Sequence, residues 1–195
     1  MSREDWSTDA RSLTVAARTS KKMADPIPLA YLITFTCYGA RLHGDQPESV
    51  DNRHNVPGSP FLPEAPSVVS IEEGQMSQRP YLMDRDRRPI VLRSLRAVCT
   101  HRGWTLLAAH VRSTHVHVVV TSQETPEKVM NALKSYASRA LNQARLDPPG
   151  RRRWAHHGST RYLWKPKQVA AAIEYVVWGQ GNPMAVWRKQ DETLE

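Results

Sequence analysis

The 195 residues are enough for one domain with extensions and too few for two full domains. Hydrophobic residues make up 40% of the chain, and no apolar run approaches the roughly 20 residues that a membrane-spanning helix needs, so we expect no membrane partner. Two cysteines exclude a disulfide scaffold and a cysteine-rich zinc site, whereas a formal net charge of +8 favours a polyanionic partner, most commonly nucleic acid.

The first third of the chain contains one clear strand between two polar segments. Residues 1–28 are polar and predict a flexible leader. The β-branched and aromatic run Tyr31–Tyr38 predicts a strand that ends at Gly39. Residues 40–83 are rich in glycine and proline, and they predict a long loop inserted after this strand.

The middle of the chain predicts a helix followed by a hairpin. Apolar residues recur with helical spacing over Ile90–Cys99, and Gly103 is placed to end that helix. The segments Trp104–Val111 and His115–Thr121 both predict strands. Only the turn Arg112–Thr114 separates them, which favours an antiparallel pair.

The last third predicts two further helices with a short strand between them. Thr125 and the proline after it predict a helix start with a capping hydroxyl, and the helix should end before Asp147. The segment Tyr162–Trp164 predicts a short strand. A final helix is expected over Lys165–Trp178, with an irregular segment from Gly179 onwards.

The order of these elements predicts an α+β fold. A strand, a helix, two strands, a helix and a strand form a βαββαβ core, the ferredoxin-like arrangement of one antiparallel sheet with helices on one face. The expected domain covers residues 29–185, including the loop at 40–83, and residues 186–195 form a C-terminal tail.

Two histidines at the head of a strand are the first candidates for chemistry. His115 and His117 are two residues apart, so their side chains should project from the same face of the strand. Paired imidazoles can hold a divalent metal, with oxygen ligands from water or a substrate phosphate completing the shell. The plainer interpretation is a pair of partly buried histidines that hydrogen-bond to the backbone.

A tyrosine on the following helix is the second candidate. Tyr136 lies at the edge of the apolar stripe of that helix, where a structural role in packing is the common fate of a tyrosine. The alternative is a nucleophile, because a phenol oxygen can attack a phosphodiester whose charge a metal stabilises. The product would be a covalent phosphotyrosine that conserves the bond for a later rejoining step.

Several segments together resemble the HUH single-tyrosine transposases, and in particular the REP-associated tyrosine transposases and their insertion-sequence relatives. The resemblance covers roughly residues 28–185. It depends on Tyr31–Tyr38, Arg102–Trp104, His115–Val120, Leu133–Arg139 and Trp154–Arg161.

This resemblance implies a ferredoxin-like enzyme that cuts and rejoins single-stranded DNA at hairpin ends. His115 and His117 match the histidine pair that binds Mg²⁺ or Mn²⁺, and Tyr136 matches the nucleophile that becomes linked to the 5′ phosphate. Family members often work as homodimers. The family commonly carries Asn or Gln one turn after the tyrosine, but this chain has Ala140, which leaves Gln143 as the nearest replacement, with His156 or His157 as alternatives from the following loop.

Basic and aromatic residues predict a DNA-binding surface, because single strands are held by phosphate attraction and base stacking. The predicted DNA-binding residues are Lys134, Arg139, Arg151, Arg152, Arg153, Trp154, Arg161 and Lys165.

Three functions stay open from the sequence. The first is a metal-dependent transposase or nickase–ligase acting through Tyr136, located in the cytoplasm in association with the nucleoid. The second is a protein adopted by its host that binds structured DNA without cleaving it, which Ala140 motivates. The third is a metal-dependent nuclease that uses water, in which Tyr136 is structural; the absence of an acidic residue on the histidine strand makes it the weakest.

Overall fold

The computed structural model describes residues 27–40 and 76–190. Most of the predicted leader at 1–28 and of the predicted loop at 40–83 lies outside the described residues, so both stay predictions, as do the domain boundaries. Nowhere in the described ranges is a helix both long enough and apolar enough to cross a bilayer.

The described chain forms one five-stranded sheet with three helices. Its elements in chain order are β1 (Ala30–Cys37), α1 (Arg87–Arg102), β2 (Thr105–Val111), β3 (His115–Thr121), α2 (Pro126–Gln143), β4 (Trp154–Leu163), α3 (Pro166–Trp178) and β5 (Ala185–Arg188). The strand order is β4-β1-β3-β2-β5, and every neighbouring pair is antiparallel. This confirms the predicted βαββαβ core, to which α3 and β5 are additions.

The hydrophobic patterns located most elements well. The strand at His115–Thr121 has the predicted bounds, and α1 extends three residues beyond each end of the predicted helix. Gly103 ends α1 with a φ of 67°, a left-handed conformation that glycine adopts without strain. Thr125 precedes α2 in an extended conformation, but its hydroxyl makes no capping hydrogen bond, so that part of the prediction is wrong.

Two strands differ from the predictions. The strand predicted at Tyr162–Trp164 is β4, which begins at Trp154 and has ten residues. The segment predicted to be irregular after Gly179 contains β5, which pairs with β2. Both are edge strands; β4 is rich in polar residues and β5 has four residues, so their conformation depends on hydrogen bonds to a neighbouring strand that no local pattern reveals.

The two faces of the sheet are covered differently. On one face α1 and α2 pack over a large apolar cluster that includes Val116, Val118 and Val120 of β3 together with Leu95 and Leu133 of the helices. Alternate residues of a strand point to opposite faces, so the remaining side chains of β3 belong to the other face.

That other face carries α3 and a smaller apolar cluster. Val119 of β3 packs there with Leu163 of β4 and with Ala172 and Val176 of α3. His115 and His117 precede Val119 at alternate positions on this same face. The strand pattern and the position of α3 together therefore place both histidines beside α3.

Candidate active site

The structure brings the two predicted histidines together. The ring centroids of His115 and His117 are 4.7 Å apart, and the rings are nearly perpendicular at 78°. His117 is 6% exposed, and His115 is half-buried. The pair lies on the surface of β3 opposite to the valine-rich cluster, as the alternation of the sequence predicts.

A threonine hydroxyl contacts each ring at the same nitrogen. Thr34 Oγ1 lies 2.7 Å from His117 Nδ1, and Thr114 Oγ1 lies 2.9 Å from His115 Nδ1. Thr34 is also the residue of β1 that pairs with His117 across the sheet. Such hydrogen bonds at one ring nitrogen fix the orientation of an imidazole and decide which nitrogen can serve as a ligand.

A tyrosine of α3 lies against the histidine pair. The ring of Tyr175 meets His117 edge to face, with the centroids 5.6 Å apart and the planes at 75°. Tyr175 is 47% exposed, so it combines a contact with the buried His117 with access from solvent. The sequence pattern does not single out Tyr175, because its helix has an apolar pattern and only the tertiary fold shows which sheet face that helix covers.

A third histidine holds α3 in this position. His110 is fully buried, its Nδ1 donates to the carbonyl of Val176 at 3.0 Å, and its Nε2 accepts from the backbone N–H of Met184 at 3.2 Å. Because one nitrogen donates and the other accepts, the ring is neutral, and burial lowers the pKa of His110. His110 pairs with His117 across the sheet and anchors the residue next to Tyr175.

The predicted nucleophile Tyr136 lies elsewhere. It packs half-buried against the large apolar cluster, beside the ring of His101 at 6.2 Å and under the Arg139 guanidinium at 5.1 Å. Because α2 covers the valine face of β3, Tyr136 and the histidine pair lie on opposite sides of the sheet. Gln143 is the last residue of the same helix, so neither residue reaches the histidines of its own chain in this arrangement.

Two of the predicted DNA-binding residues have buried charges. Lys134 is 7% exposed and its ammonium donates to the carbonyls of Ala155, His156 and His157, at 2.9, 3.3 and 3.0 Å. Burial lowers the pKa of Lys134 to about 8. Arg153 is 5% exposed, and its Nε forms an ion pair with Asp147 Oδ2 at 2.8 Å. Both side chains stabilise the fold and are not positioned to meet a DNA backbone.

The remaining predicted DNA-binding residues divide into two groups. Arg151 donates to the carbonyls of Arg79 and Pro80, and the Trp154 indole donates to Ser138 Oγ at 2.9 Å, so both are used in packing. The other four are exposed: Arg139, Arg152, Arg161 and Lys165.

The described ranges contain no group of three or more His, Cys, Asp or Glu residues that could together hold a metal ion. The candidate metal ligands that the structure brings together are therefore the imidazoles of His115 and His117. The first amide side chain after Tyr175 in the sequence is that of Gln180, whose Nε2 donates to the Tyr175 carbonyl at 3.3 Å.

The sequence matches one known family. The family model described as "Transposase IS200 like" covers residues 76–174, just over half of the 195 residues. The chain therefore belongs to the IS200-like family of single-tyrosine transposases, which confirms the resemblance drawn from the motifs. The matched segment includes α1 to β4 with both histidines, and it ends one residue before Tyr175.

Two solved structures resemble the chain in general fold. One is the REP-associated tyrosine transposase bound to a REP hairpin, at 10% identity and a TM-score of 0.44, covering 79% of this chain and 67% of that one. The other is a "putative transposase" from Deinococcus radiodurans R1, at 17% identity and a TM-score of 0.41, covering 80% and 94%. No curated protein matches the chain significantly. Both TM-scores lie below 0.5, so the family assignment depends on the sequence match.

Proposed function

We propose that this transposase cuts and rejoins single-stranded DNA through a 5′-phosphotyrosine on Tyr175, with a divalent metal, Mg²⁺ or Mn²⁺, held by His115 and His117. The observation that carries the proposal is the contact of the Tyr175 ring with His117, which itself lies 4.7 Å from His115 between ring centroids. A nucleophile and a pair of metal-binding groups thus share one surface of the sheet.

The assignment of the nucleophile favours Tyr175 over Tyr136. A nucleophile must reach the same phosphate that the metal polarises, and only Tyr175 lies on the face that carries the histidines. Its partial exposure admits a substrate, whereas Tyr136 is half-buried in a helical layer on the other side of the sheet. Since Tyr175 contacts the His117 of its own chain, we infer that attack occurs within one subunit.

The histidine pair fits a metal of this kind in part. Both rings have a hydroxyl at Nδ1, so we propose that Nε2 is the ligating nitrogen in each. Gln180 and oxygens of water and substrate are the candidates for the remaining ligands. When bound, the metal would polarise a non-bridging phosphate oxygen and stabilise the charge that develops there.

The proposed reaction exchanges one phosphodiester bond for another, so the energy of the broken bond is kept in the phosphotyrosine. The Tyr175 phenol oxygen attacks phosphorus, the bond from phosphorus to the 3′ oxygen breaks, and the phenolic proton is lost to solvent as the leaving oxygen gains one. The products are a 5′-phosphotyrosine and a free 3′ hydroxyl. Attack of a 3′ hydroxyl on the phosphotyrosine reverses these changes, which joins two DNA ends and releases Tyr175.

The proposed substrate is single-stranded DNA that forms a hairpin. The net charge of +8 and the exposed Arg139, Arg152, Arg161 and Lys165 support a phosphate-binding surface. One of the structural neighbours is bound to a REP hairpin, which agrees with this substrate class. Cytoplasmic action at the nucleoid and a homodimer are parts of the proposal that the family resemblance motivates.

Covalent capture tests the proposal directly. Hairpin DNA labelled at its 3′ end is mixed with the wild type, Tyr175→Phe or Tyr136→Phe, with and without Mn²⁺, and run on a denaturing gel. We expect a metal-dependent protein–DNA band in the wild type and in Tyr136→Phe, and none in Tyr175→Phe. An adduct that survives Tyr175→Phe and disappears in Tyr136→Phe would restore the assignment made from the sequence.

The second candidate function is binding of structured DNA without cleavage. The residue one turn after Tyr175 is Gly179, and the residue one turn after Tyr136 is Ala140, so neither helix places an amide ligand where the family commonly has one. This alternative predicts hairpin binding that weakens with salt, with no adduct in Mg²⁺ or Mn²⁺. Any metal-dependent adduct excludes it.

Mixing two inactive variants tests attack within one subunit. Tyr175→Phe and His117→Ala each lack one half of the site, so an equimolar mixture regains activity only if one subunit completes the site of another. We expect the mixture to stay inactive. Sedimentation of the wild type separately measures whether the proposed homodimer forms.

A further inference from the structure

Two aromatic side chains form an exposed pair at the end of β4. The rings of Tyr162 and Trp164 are stacked, with the centroids 5.9 Å apart and the planes at 13°, and the residues are 43% and 46% exposed. Leu163 between them is buried under α3, so the two rings point to the opposite face of the sheet. Large aromatic surface is costly to leave in water, which makes a rigid exposed pair a candidate binding site.

The surroundings hold this pair in place. Tyr162 meets the buried ring of Tyr31 edge to face at 5.3 Å between centroids. Gln168 Oε1 accepts hydrogen bonds from the backbone N–H groups of Trp164 and Lys165, at 2.9 and 3.0 Å. These contacts fix the junction between β4 and α3, so a ligand that stacks on the pair would lose little free energy in ordering it.

The charges near the pair include two lysines and one carboxylate, since Glu127 accepts from Thr160 Oγ1 at 3.2 Å on the same face of β4 as Tyr162. Lys165 follows Trp164 directly and Lys167 lies in the first turn of α3, whereas Arg161 alternates with Tyr162 on β4 and projects from the opposite face; all three are exposed. None of them forms an ion pair with any residue in the described ranges. Flat rings beside exposed lysines suit single-stranded nucleic acid, whose bases stack and whose phosphates attract the cations.

The position of the pair relative to the candidate active site is fixed by the strand register. Ser159 of β4 pairs with Thr34 of β1, and Thr34 pairs with His117. Tyr162 is three residues further along β4, so it lies roughly 14 Å from His117 in the plane of the sheet, on the opposite face at the β4 edge. A strand that passes over this edge could contact both places.

We propose that Tyr162 and Trp164 are a stacking site for the bases of the single-stranded DNA that flanks the hairpin. The inference rests on the proposed function for the identity of the nucleic acid. The stacking site would hold the strand outside the reacting phosphodiester and would contribute affinity with little preference for base identity, because every base has a flat face.

Binding assays in the uncleaving Tyr175→Phe background test this site. We would measure the anisotropy of fluorescent hairpins with and without a single-stranded extension, comparing Trp164→Ala, Tyr162→Ala and Trp164→Phe. We expect each alanine change to weaken binding of the extended hairpin about tenfold, with little effect of Trp164→Phe and no effect on the hairpin without its extension. Circular dichroism and thermal melting check that each variant folds, and the alanine change at the other ring decides the test if one alanine variant does not fold.

Salt dependence and abasic sites sharpen the assay. Trp164→Ala should leave the slope of affinity against salt unchanged, whereas Lys165→Gln should reduce it. An abasic nucleotide at the stacked position should lower the DNA affinity of the parent protein but not that of Trp164→Ala, because the two changes remove the same contact.

Extended-hairpin binding by Trp164→Ala at the affinity of the parent protein would overturn the proposal. If the sedimentation of Trp164→Ala also changed, the rings would be identified as a contact between protein chains. The absence of any covalent adduct in the wild type would reject the proposed cleavage but not the stacking site, because the binding assay does not depend on cleavage.

Discussion

The two faces of the sheet are built from the same strands, but one is closed by the core and the other carries the candidate active site. One face is closed by α1 and α2 over a large apolar cluster and includes Tyr136 at its edge. The other carries His110, His115 and His117 under α3, with a smaller apolar cluster and the exposed Tyr175. The difference shows that one strand can supply residues to the core and to the candidate site at once, because its side chains alternate.

The largest expected effect comes from removing a histidine of the polar face. In the proposed mechanism each histidine is a metal ligand whose loss forfeits several kcal/mol of transition-state stabilisation, so His117→Ala or His115→Ala should lower adduct formation about 10³-fold or more. Single-turnover rates with labelled hairpin measure the loss. The control is His101→Ala beside Tyr136 on the closed side, and a loss of similar size there would break the comparison between the faces.

On the closed side a buried carboxylate should control stability instead. Asp147 Oδ2 accepts from Arg153 Nε at 2.8 Å and from the Tyr81 hydroxyl at 2.8 Å, and its other oxygen accepts from Arg87. Asp147→Asn leaves the buried Arg153 guanidinium without its carboxylate, so the free energy of unfolding should fall by about 3–5 kcal/mol in urea titrations. The exposed Asp86→Asn should change it by less than about 0.5 kcal/mol.

The same carboxylate gives a pH dependence with a defined sign. Burial alone would raise the pKa of Asp147, but hydrogen bonds from Arg153, Tyr81 and Arg87 outweigh it and hold the pKa below its usual 3.8. The unfolded chain then binds more protons, so this stabilisation is complete above pH 3.8 and is lost as the pH falls through the lower folded pKa. Asp147→Asn should reduce the loss of unfolding free energy at acid pH, and an unchanged acid dependence would contradict the assignment of that loss to Asp147.

The hydroxyl at His117 offers a smaller test of the polar face. Thr34→Val keeps the shape of the side chain but removes the contact at Nδ1, and such contacts are worth about 10–100-fold in metal affinity. Titration of adduct formation with Mn²⁺ measures the shift. The hydroxyl of Thr100 donates to the Arg96 carbonyl within α1, so Thr100→Val should leave the Mn²⁺ dependence as in the wild type.

The smallest expected effect concerns the position of Tyr175. His110→Asn keeps a donor for the Val176 carbonyl, whereas His110→Leu removes it. The rate of adduct formation at saturating DNA and metal should therefore fall about tenfold in His110→Leu and less in His110→Asn. The hairpin dissociation constant should stay unchanged in both. Equal rates in Asn and Leu, or a change in DNA affinity alone, would show that His110 acts only in stability.

Most of the core could be predicted from local patterns. The bounds of β3 and the start of α2 follow from alternation and from proline placement, which act within a few residues. The strand β4 could be predicted only in part, because its polar residues become a strand through pairing with β1. Of the candidate site, the histidine pair followed from the two-residue period of a strand, whereas the position of either tyrosine did not.

The sequence by itself determined the family, the alternation that separates His115 and His117 from the valines of β3, and the basic charge that favours nucleic acid. The tertiary structure decided that α3 covers the histidine face and brings Tyr175 to His117, while α2 keeps Tyr136 on the other side. The physical reason is range: periodicity fixes which side of its own element a residue occupies, but only packing between elements distant in sequence fixes what that side meets.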